Sequence, residues 1–157
     1  MLSNEERMEI EEELKAVPFK RAASIDALKV VQRHRGWVDD QGLKDVAIML
    51  EISPSELDGV ATFYNLIFRR PVGSHVILVC NTISCWMMGC EDLLKRLTER
   101  LGVPLGSTSA DGEFTLLPVP CLGACDQSPV MMVDGKLYGN LTPEKVDEVL
   151  KENGWKG

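Results

Sequence analysis

Five cysteines mark a chain of 157 residues, and four of them form two short-range pairs. Cys80 and Cys85 bracket "CNTISC", a C-x4-C spacing, and Cys121 and Cys125 bracket "CLGAC", a C-x3-C spacing. Cys80 closes the apolar run "HVILVC" and Cys121 closes "FTLLPVPC", so each pair opens at the end of an expected strand and finishes in the loop beyond it. Neighbouring strand ends would lay the two loops side by side, where four thiolates converge on one metal centre. Zinc, or iron with sulfide, suits four thiolates. Structural zinc ribbons mostly use tighter pairs, whereas a [2Fe-2S] unit is a wider rhomb that needs longer spacers. The spacing therefore favours [2Fe-2S] and leaves zinc as the alternative.

Neighbouring residues sharpen this chemistry. Gly123, inside "CLGAC", lets the backbone take a positive φ or approach a bridging sulfide closely. The only histidines, His34 and His75, stand apart from both cysteine pairs, which excludes a two-histidine Rieske centre. No C-x-x-C occurs, so thioredoxin-type dithiol exchange lacks its reactive pair. Cys90 is the odd thiol. It precedes Leu93, Leu94, Leu97 and Leu101 at helical intervals, which predicts a small apolar core residue on the leucine face.

The elements that must position these thiols are readable from periodicity and capping. Ser3 and Glu6 are spaced as a capping box before "RMEIEEELKAV", which stops at Pro18, and the acidic helix at 4–14 is expected to be a solvated face. A second helix is predicted over about 22–34, with Ala22, Ile25, Leu28, Val30 and Val31 on its apolar side, ending at Gly36. "DDQGLKDVAIMLEI" predicts a third, and "SPSELDGVATFYNLIF", with Ser53, Pro54 and Glu56 at its start, a fourth. Phe63, Tyr64 and Phe68 could dock a partner, but their spacing suits the helical core, which is the expectation adopted.

The period changes at "RRPVGSH", which places a boundary between residues 1–72 and 73–157. Beyond it follow an expected strand at 75–80 begun by His75, a helix at about 89–101, strands at 113–120 and 130–133, a "DGK" hairpin, a strand near 136–140, and a helix capped by Thr142 and Pro143. Met131 and Met132 read as strand packing. The fold class is α+β/α/β: an N-terminal four-helix bundle, then a β-α-β-β-β-α layer structure.

Composition bounds the partners. With 24 acids against 17 bases and a net charge of −7, the chain opposes phosphate backbones, so no nucleic acid is expected. Apolar runs are too short to span a bilayer, so no direct membrane insertion is expected. The charged start "MLSNEERMEIEEELK" is expected to be no secretory signal, which puts the thiols in a reducing cytosol. No G-x-G-x-x-G and no P-loop appears, so NADH and flavin have no evident site on this chain.

"RHRGWV", "GVATFYNLIFRRPVG", "CNTISC", "FTLLPVPCLGACDQSPVMMVDGK" and "LTPEKVDEVL" together resemble the thioredoxin-like [2Fe-2S] subunit of NADH:quinone oxidoreductase, the E subunit of respiratory complex I. The resemblance covers nearly the whole chain. It implies cluster ligands Cys80, Cys85, Cys121 and Cys125, one [2Fe-2S] cluster per chain, and a helical bundle followed by a thioredoxin-like [2Fe-2S] ferredoxin domain. Cys90 is not a ligand position in that pattern. Pro129 resembles the often-cis proline before the third strand of thioredoxin folds.

The same resemblance implies an electron-transfer subunit of an oxidoreductase (translocase) without a stand-alone catalytic site. It would exchange single electrons with the FMN of the NADH-oxidising flavoprotein subunit, among other peripheral-arm subunits, on the cytoplasmic side of the cell membrane. Four thiolates without histidine imply a low potential, broadly like the roughly −400 mV of plant-type ferredoxins. Related subunits of NAD-dependent hydrogenases and formate dehydrogenases, and a zinc-stabilised interaction module, are the alternatives.

Overall fold

The computed structural model describes residues 1–157 and separates into two compact units, Met1–Pro71 and Val72–Gly157. The first is all helical. Helix α1 (Asn4–Lys15) opens on a capping box in which Ser3 Oγ accepts from the Glu6 N–H at 3.1 Å and Glu6 Oε2 accepts from the Ser3 N–H at 2.7 Å. Helix α2 (Ser24–Arg35) ends at Gly36 in the left-handed region, α3 (Asp40–Leu50) is capped by Asp39, and α4 (Pro54–Phe63) repeats the capping box with Ser53 and Glu56. Ile10, Leu28, Val31, Val46, Leu50 and Leu57 fill the core.

Several expectations for this unit change. A 3₁₀ turn, Lys20–Ala23, precedes α2, so Ala22 is exposed while Ala23 and Ala27 are buried. The acidic helix is not wholly solvated, because Glu6 is buried against Arg35. Helix α4 stops at Phe63 rather than running on to Phe68. Its buried face is Leu57 and Ala61; Tyr64 would return to that face only if the helix continued, and Phe63 points away from it. Phe63 is 77% exposed and Tyr64 is exposed beside it, so neither is core.

The second unit is a five-stranded sheet in the order β2-β3-β1-β4-β5, with β1 at His75–Cys80, β2 at Ser107–Thr108, β3 at Phe114–Val119, β4 at Met131–Val133 and β5 at Lys136–Tyr138. Only β1 and β3 are parallel, in a register that sets Cys80 beside Val119; the other pairings are antiparallel. Asp134 and Gly135 both take positive φ between β4 and β5, which is what a two-residue hairpin needs. Helices α6 (Cys90–Leu101) and α7 (Pro143–Glu152) cover Ile77, Val79, Leu116 and Met131 with Leu93, Leu97, Val146 and Leu150. Strand alternation sends Leu78 and Cys80 to a separate small apolar cluster on the opposite face. Three elements exceed the expected β-α-β-β-β-α order: the short helix α5 (Ile83–Met87), the edge strand β2 and a 3₁₀ turn at Cys125–Gln127.

Candidate metal centre

Parallel pairing of β1 with β3 brings two cysteine-bearing loops to one end of the sheet. The chain leaves β1 at Cys80 and β3 at Val119 side by side, and the Asn81 N–H donates to the Val119 carbonyl at 3.4 Å. Cys80 Sγ lies 3.9 Å from the Pro120 carbonyl, so the first sulfur already touches the second loop. Cys85 sits on α5 and not in an open loop, and this helix carries its sulfur inward. Cys80 and Cys85 are each only 1% exposed, whereas Cys121 and Cys125 are exposed on the loop after β3.

Hydrogen-bonding groups lie against three of the sulfurs. Thr82 Oγ1 is 3.3 Å from Cys80 Sγ, and the Gly123 N–H donates to Cys121 Sγ at 3.3 Å. Gly123 has φ +75, one of the two uses its place in "CLGAC" allowed, and a Cβ there would meet nothing within 4 Å. Ser128 Oγ is 3.5 Å from Cys85 Sγ and donates to the Cys125 carbonyl at 2.9 Å, joining the α5 sulfur to the backbone of the second loop. The Ser128–Pro129 peptide bond is cis.

Burial disfavours a thiolate at Cys80, but bonds from the Thr82 hydroxyl and N–H, Cys85 and the Leu122 N–H outweigh it and lower its pKa. Burial pushes the Cys85 thiol up, against opposing bonds from Ser128 and the Val130 N–H, and the neighbouring Cys80 adds to the rise. The two sulfurs therefore form an adjacent pair whose surroundings favour the thiolate at Cys80 and disfavour it at Cys85.

No three thiol, imidazole or carboxylate groups come together at the spacing that holds a single ion. The four cysteines of the two motifs instead divide into a buried adjacent pair and two exposed thiols four positions apart on the facing loop. Four thiols on two loops at one end of the sheet, with amide and hydroxyl groups against their sulfurs, would suit an anionic, thiolate-bound iron–sulfur unit. The residues present thus fit a [2Fe-2S] group.

Cys90, the first residue of α6, is 2% exposed, as a core residue should be. Its surroundings differ from the leucine face: it packs with Cys80, Cys85, Val119, Ala124 and Val130 beneath the cysteine loops, while Leu93, Leu97 and Leu101 join the other core. The reason lies at the helix start, where Gly89 at φ +92 turns the chain out of α5 and sets the first turn of α6 against that end of the sheet. Met131 is buried and Met132 half-buried in the sheet, as packing residues. Thr82 and Ser128 escaped the sequence reading. Thr82, two residues past Cys80, could have been found by asking which hydroxyls can reach back to a strand-end sulfur; Ser128 carried no local signal.

Around this end of the sheet, Ile83, Trp86, Met87 and Met88 are all exposed, and the Trp86 Nε1–H donates to Glu91 at 3.0 Å.

A mixed sheet with one central parallel pair and helices on one face forms a thioredoxin-like scaffold that carries two cysteine loops at one end. The chain belongs to the thioredoxin-like [2Fe-2S] ferredoxin family, whose model matches residues 10–154. It is 46% identical over 151 residues to the NADH-quinone oxidoreductase E subunit of Pseudomonas aeruginosa, covering 96% of this chain and 91% of that one. It is 47% identical over 150 residues to the Escherichia coli protein of the same name, covering 96% and 90%. Among solved structures, an NAD+-reducing [NiFe]-hydrogenase in the air-oxidized state matches with a TM-score of 0.73 at 21% identity, over 83% of this chain and 22% of that one, a likeness of fold.

Proposed function

We propose that the chain is the electron-transferring E subunit of an NADH-quinone oxidoreductase and holds one [2Fe-2S] cluster through Cys80, Cys85, Cys121 and Cys125. The observation that carries this reading is the β1–β3 register, which sets Cys80 beside Val119 and so puts "CNTISC" and "CLGAC" at the same end of one sheet. Its relatives over nearly the full chain, which carry that subunit's name, support the assignment.

A bound cluster supplies storage for one electron at a time, which lets a two-electron hydride donor be coupled to single-electron acceptors. The protein's own residues hold and shield it. Cys80 and Cys85 come from the buried side, Cys121 and Cys125 from the exposed side, and Gly123 shapes the turn between the latter two. The N–H groups of Thr82, Leu122, Val130 and Gly123 face the sulfurs and offset their negative charge. Cys90 fills space beneath the loops and is not a ligand.

In this reading residues 73–157 form the thioredoxin-like [2Fe-2S] domain, and residues 1–72, with α1 to α4, form a four-helix bundle. The partner is the FMN- and NADH-binding flavoprotein subunit, with other peripheral-arm subunits, on the cytoplasmic side of the membrane. The exposed Ile83, Trp86, Met87 and Met88 next to the cysteine loops support docking of a partner at this end of the sheet. No helix is long and apolar enough to cross a membrane.

Visible absorption and EPR spectra of anaerobically purified protein test the assignment. The expected result is a brown protein with two irons and two sulfides per chain and an EPR signal only when reduced. A colourless protein with one zinc per chain overturns it. Co-purification with hydrogenase or formate-oxidising subunits in place of quinone-reducing ones would move the chain to the related assemblies.

A further inference from the structure

One side chain in the loop after β1 is placed in a way that neither a helix cap nor the core accounts for. Thr82 stands just before the first turn of α5, where a threonine hydroxyl commonly accepts a bond from an N–H of that turn. It makes no such bond. Its Oγ1 lies 3.3 Å from Cys80 Sγ instead. A sulfur bound to iron carries no proton and can only accept, so in that state the hydroxyl is the donor.

We propose that the Thr82 hydroxyl donates to the Cys80 thiolate and raises the midpoint potential of the [2Fe-2S] centre, a positioning role that rests on the reading of Cys80 as a ligand. Reduction brings in one electron from a one-electron donor; one ferric iron becomes ferrous, no bond forms or breaks, and no proton is taken up. The thiolate-bound unit gains one negative charge, so a donor fixed at its sulfur stabilises the reduced form more than the oxidised form. Cys80 is 1% exposed and Thr82 half-buried, and in Thr82→Val a methyl group takes the place of the hydroxyl, so the sulfur gains no replacement donor there. Ser128 offers a contrast. Its single proton goes to the Cys125 carbonyl at 2.9 Å, with Cys85 Sγ farther off at 3.5 Å, so its first effect is on the loop.

The test is a redox titration of the full chain followed by EPR, with dithionite as reductant and viologen dyes as mediators. In Thr82→Val, the ratio of reduced to oxidised cluster at the wild-type midpoint is expected to fall about tenfold, a shift of about 59 mV to more negative potential for a one-electron couple. Thr82→Ser, which keeps the hydroxyl, is expected to stay within about twofold of the wild type. A fully loaded Thr82→Val with an unchanged midpoint overturns the proposal, as does a Thr82→Ser shifted as far as the valine variant. If Thr82→Val loads no cluster, Thr82→Ala is judged by the same criterion, and failure of both to load overturns a role confined to the potential. The ligand reading fails separately: an unaltered cluster signal in Cys80→Ser removes it, whereas an unchanged Thr82→Val midpoint with the Cys80→Ser signal lost removes only the role of Thr82.

Discussion

Glu6 and Arg35 face each other through two parallel hydrogen bonds, Nε to Oε1 at 2.6 Å and Nη2 to Oε2 at 2.7 Å, with the carboxylate almost wholly buried. The same Glu6 Oε2 closes the α1 capping box on the Ser3 N–H, so one side chain both starts a helix and ties it to α2. Asp39 and the Met1 carbonyl also accept from Arg35. Glu6→Gln keeps a cap acceptor and loses the ion pair. We expect a stability loss of about 2 kcal/mol at pH 7 by denaturant titration, below the full cost of breaking a buried pair because Arg35 keeps its other partners.

The same pair sets an acid dependence. Hydrogen bonds from Arg35, against the cost of burial, lower the Glu6 carboxyl from its ordinary 4.5 to about 2. A depressed carboxyl contributes stability that is present above its unfolded value and is lost as pH falls through its folded value. The stability gap between wild type and Glu6→Gln should therefore be constant above about pH 5 and shrink between pH 4.5 and about 2. Denaturation curves across that range, followed by far-ultraviolet circular dichroism, check the sign; a gap that widens in acid contradicts it.

Cysteine replacements should sort by role and not by sequence proximity. Serine at Cys80 or Cys85 should impair or abolish the cluster spectrum. Cys90→Ser should keep the spectrum while losing about 1 kcal/mol, since it places a hydroxyl in a small apolar cluster. Loss of the EPR signal in folded Cys90→Ser would overturn its assignment as packing.

Two glycines should respond in opposite directions. A Cβ on Gly73 would lie 2.8 Å from the carbonyl carbon and oxygen of Glu113, backbone atoms at the start of the β1–β3 pairing that cannot swing aside. Gly73→Ala should cost about 2 kcal/mol. Gly59, inside α4, has nothing within 4 Å of its added Cβ. Gly59→Ala should gain about 0.5–1 kcal/mol from helix propensity. Thermal melts of the two variants against wild type separate them.

Charge placed on α5 should act on assembly alone. Met87 is exposed, does not line the sulfurs and follows Trp86, whose indole is tied to Glu91. Met87→Glu should lower co-purification with the proposed flavoprotein partner several-fold and leave the absorption and EPR spectra unchanged. Undiminished recovery of the partner would place the docking surface elsewhere.

The contrast between what was legible and what was not follows the range of the interactions involved. Strands β1 and β3 could be read because apolar runs bounded by turn residues are local. The capping boxes at Ser3 and Ser53 were legible for the same reason. Helix α5 was not: it has five residues, Ile-Ser-Cys-Trp-Met, no side-chain cap and no room for an apolar stripe. The burial of Glu6 depends on Arg35, 29 residues away, and local charge pattern alone makes Glu6 look solvated. Ser128 reaches Cys85 across 43 residues, a proximity created only when β4 pairs with β1.

The parallel β1–β3 pair also dictates a timetable. Parallel neighbours need a crossover, and here α5, α6 and β2 fill it, so Cys80 and Cys85 are synthesised well before Cys121 and Cys125 exist. At about 5–20 residues per second, the nascent chain spends seconds with the first cysteine pair made and the second not yet synthesised. Under the proposed ligand set, the site is complete only after Cys125 has been made, an order set by chain connectivity.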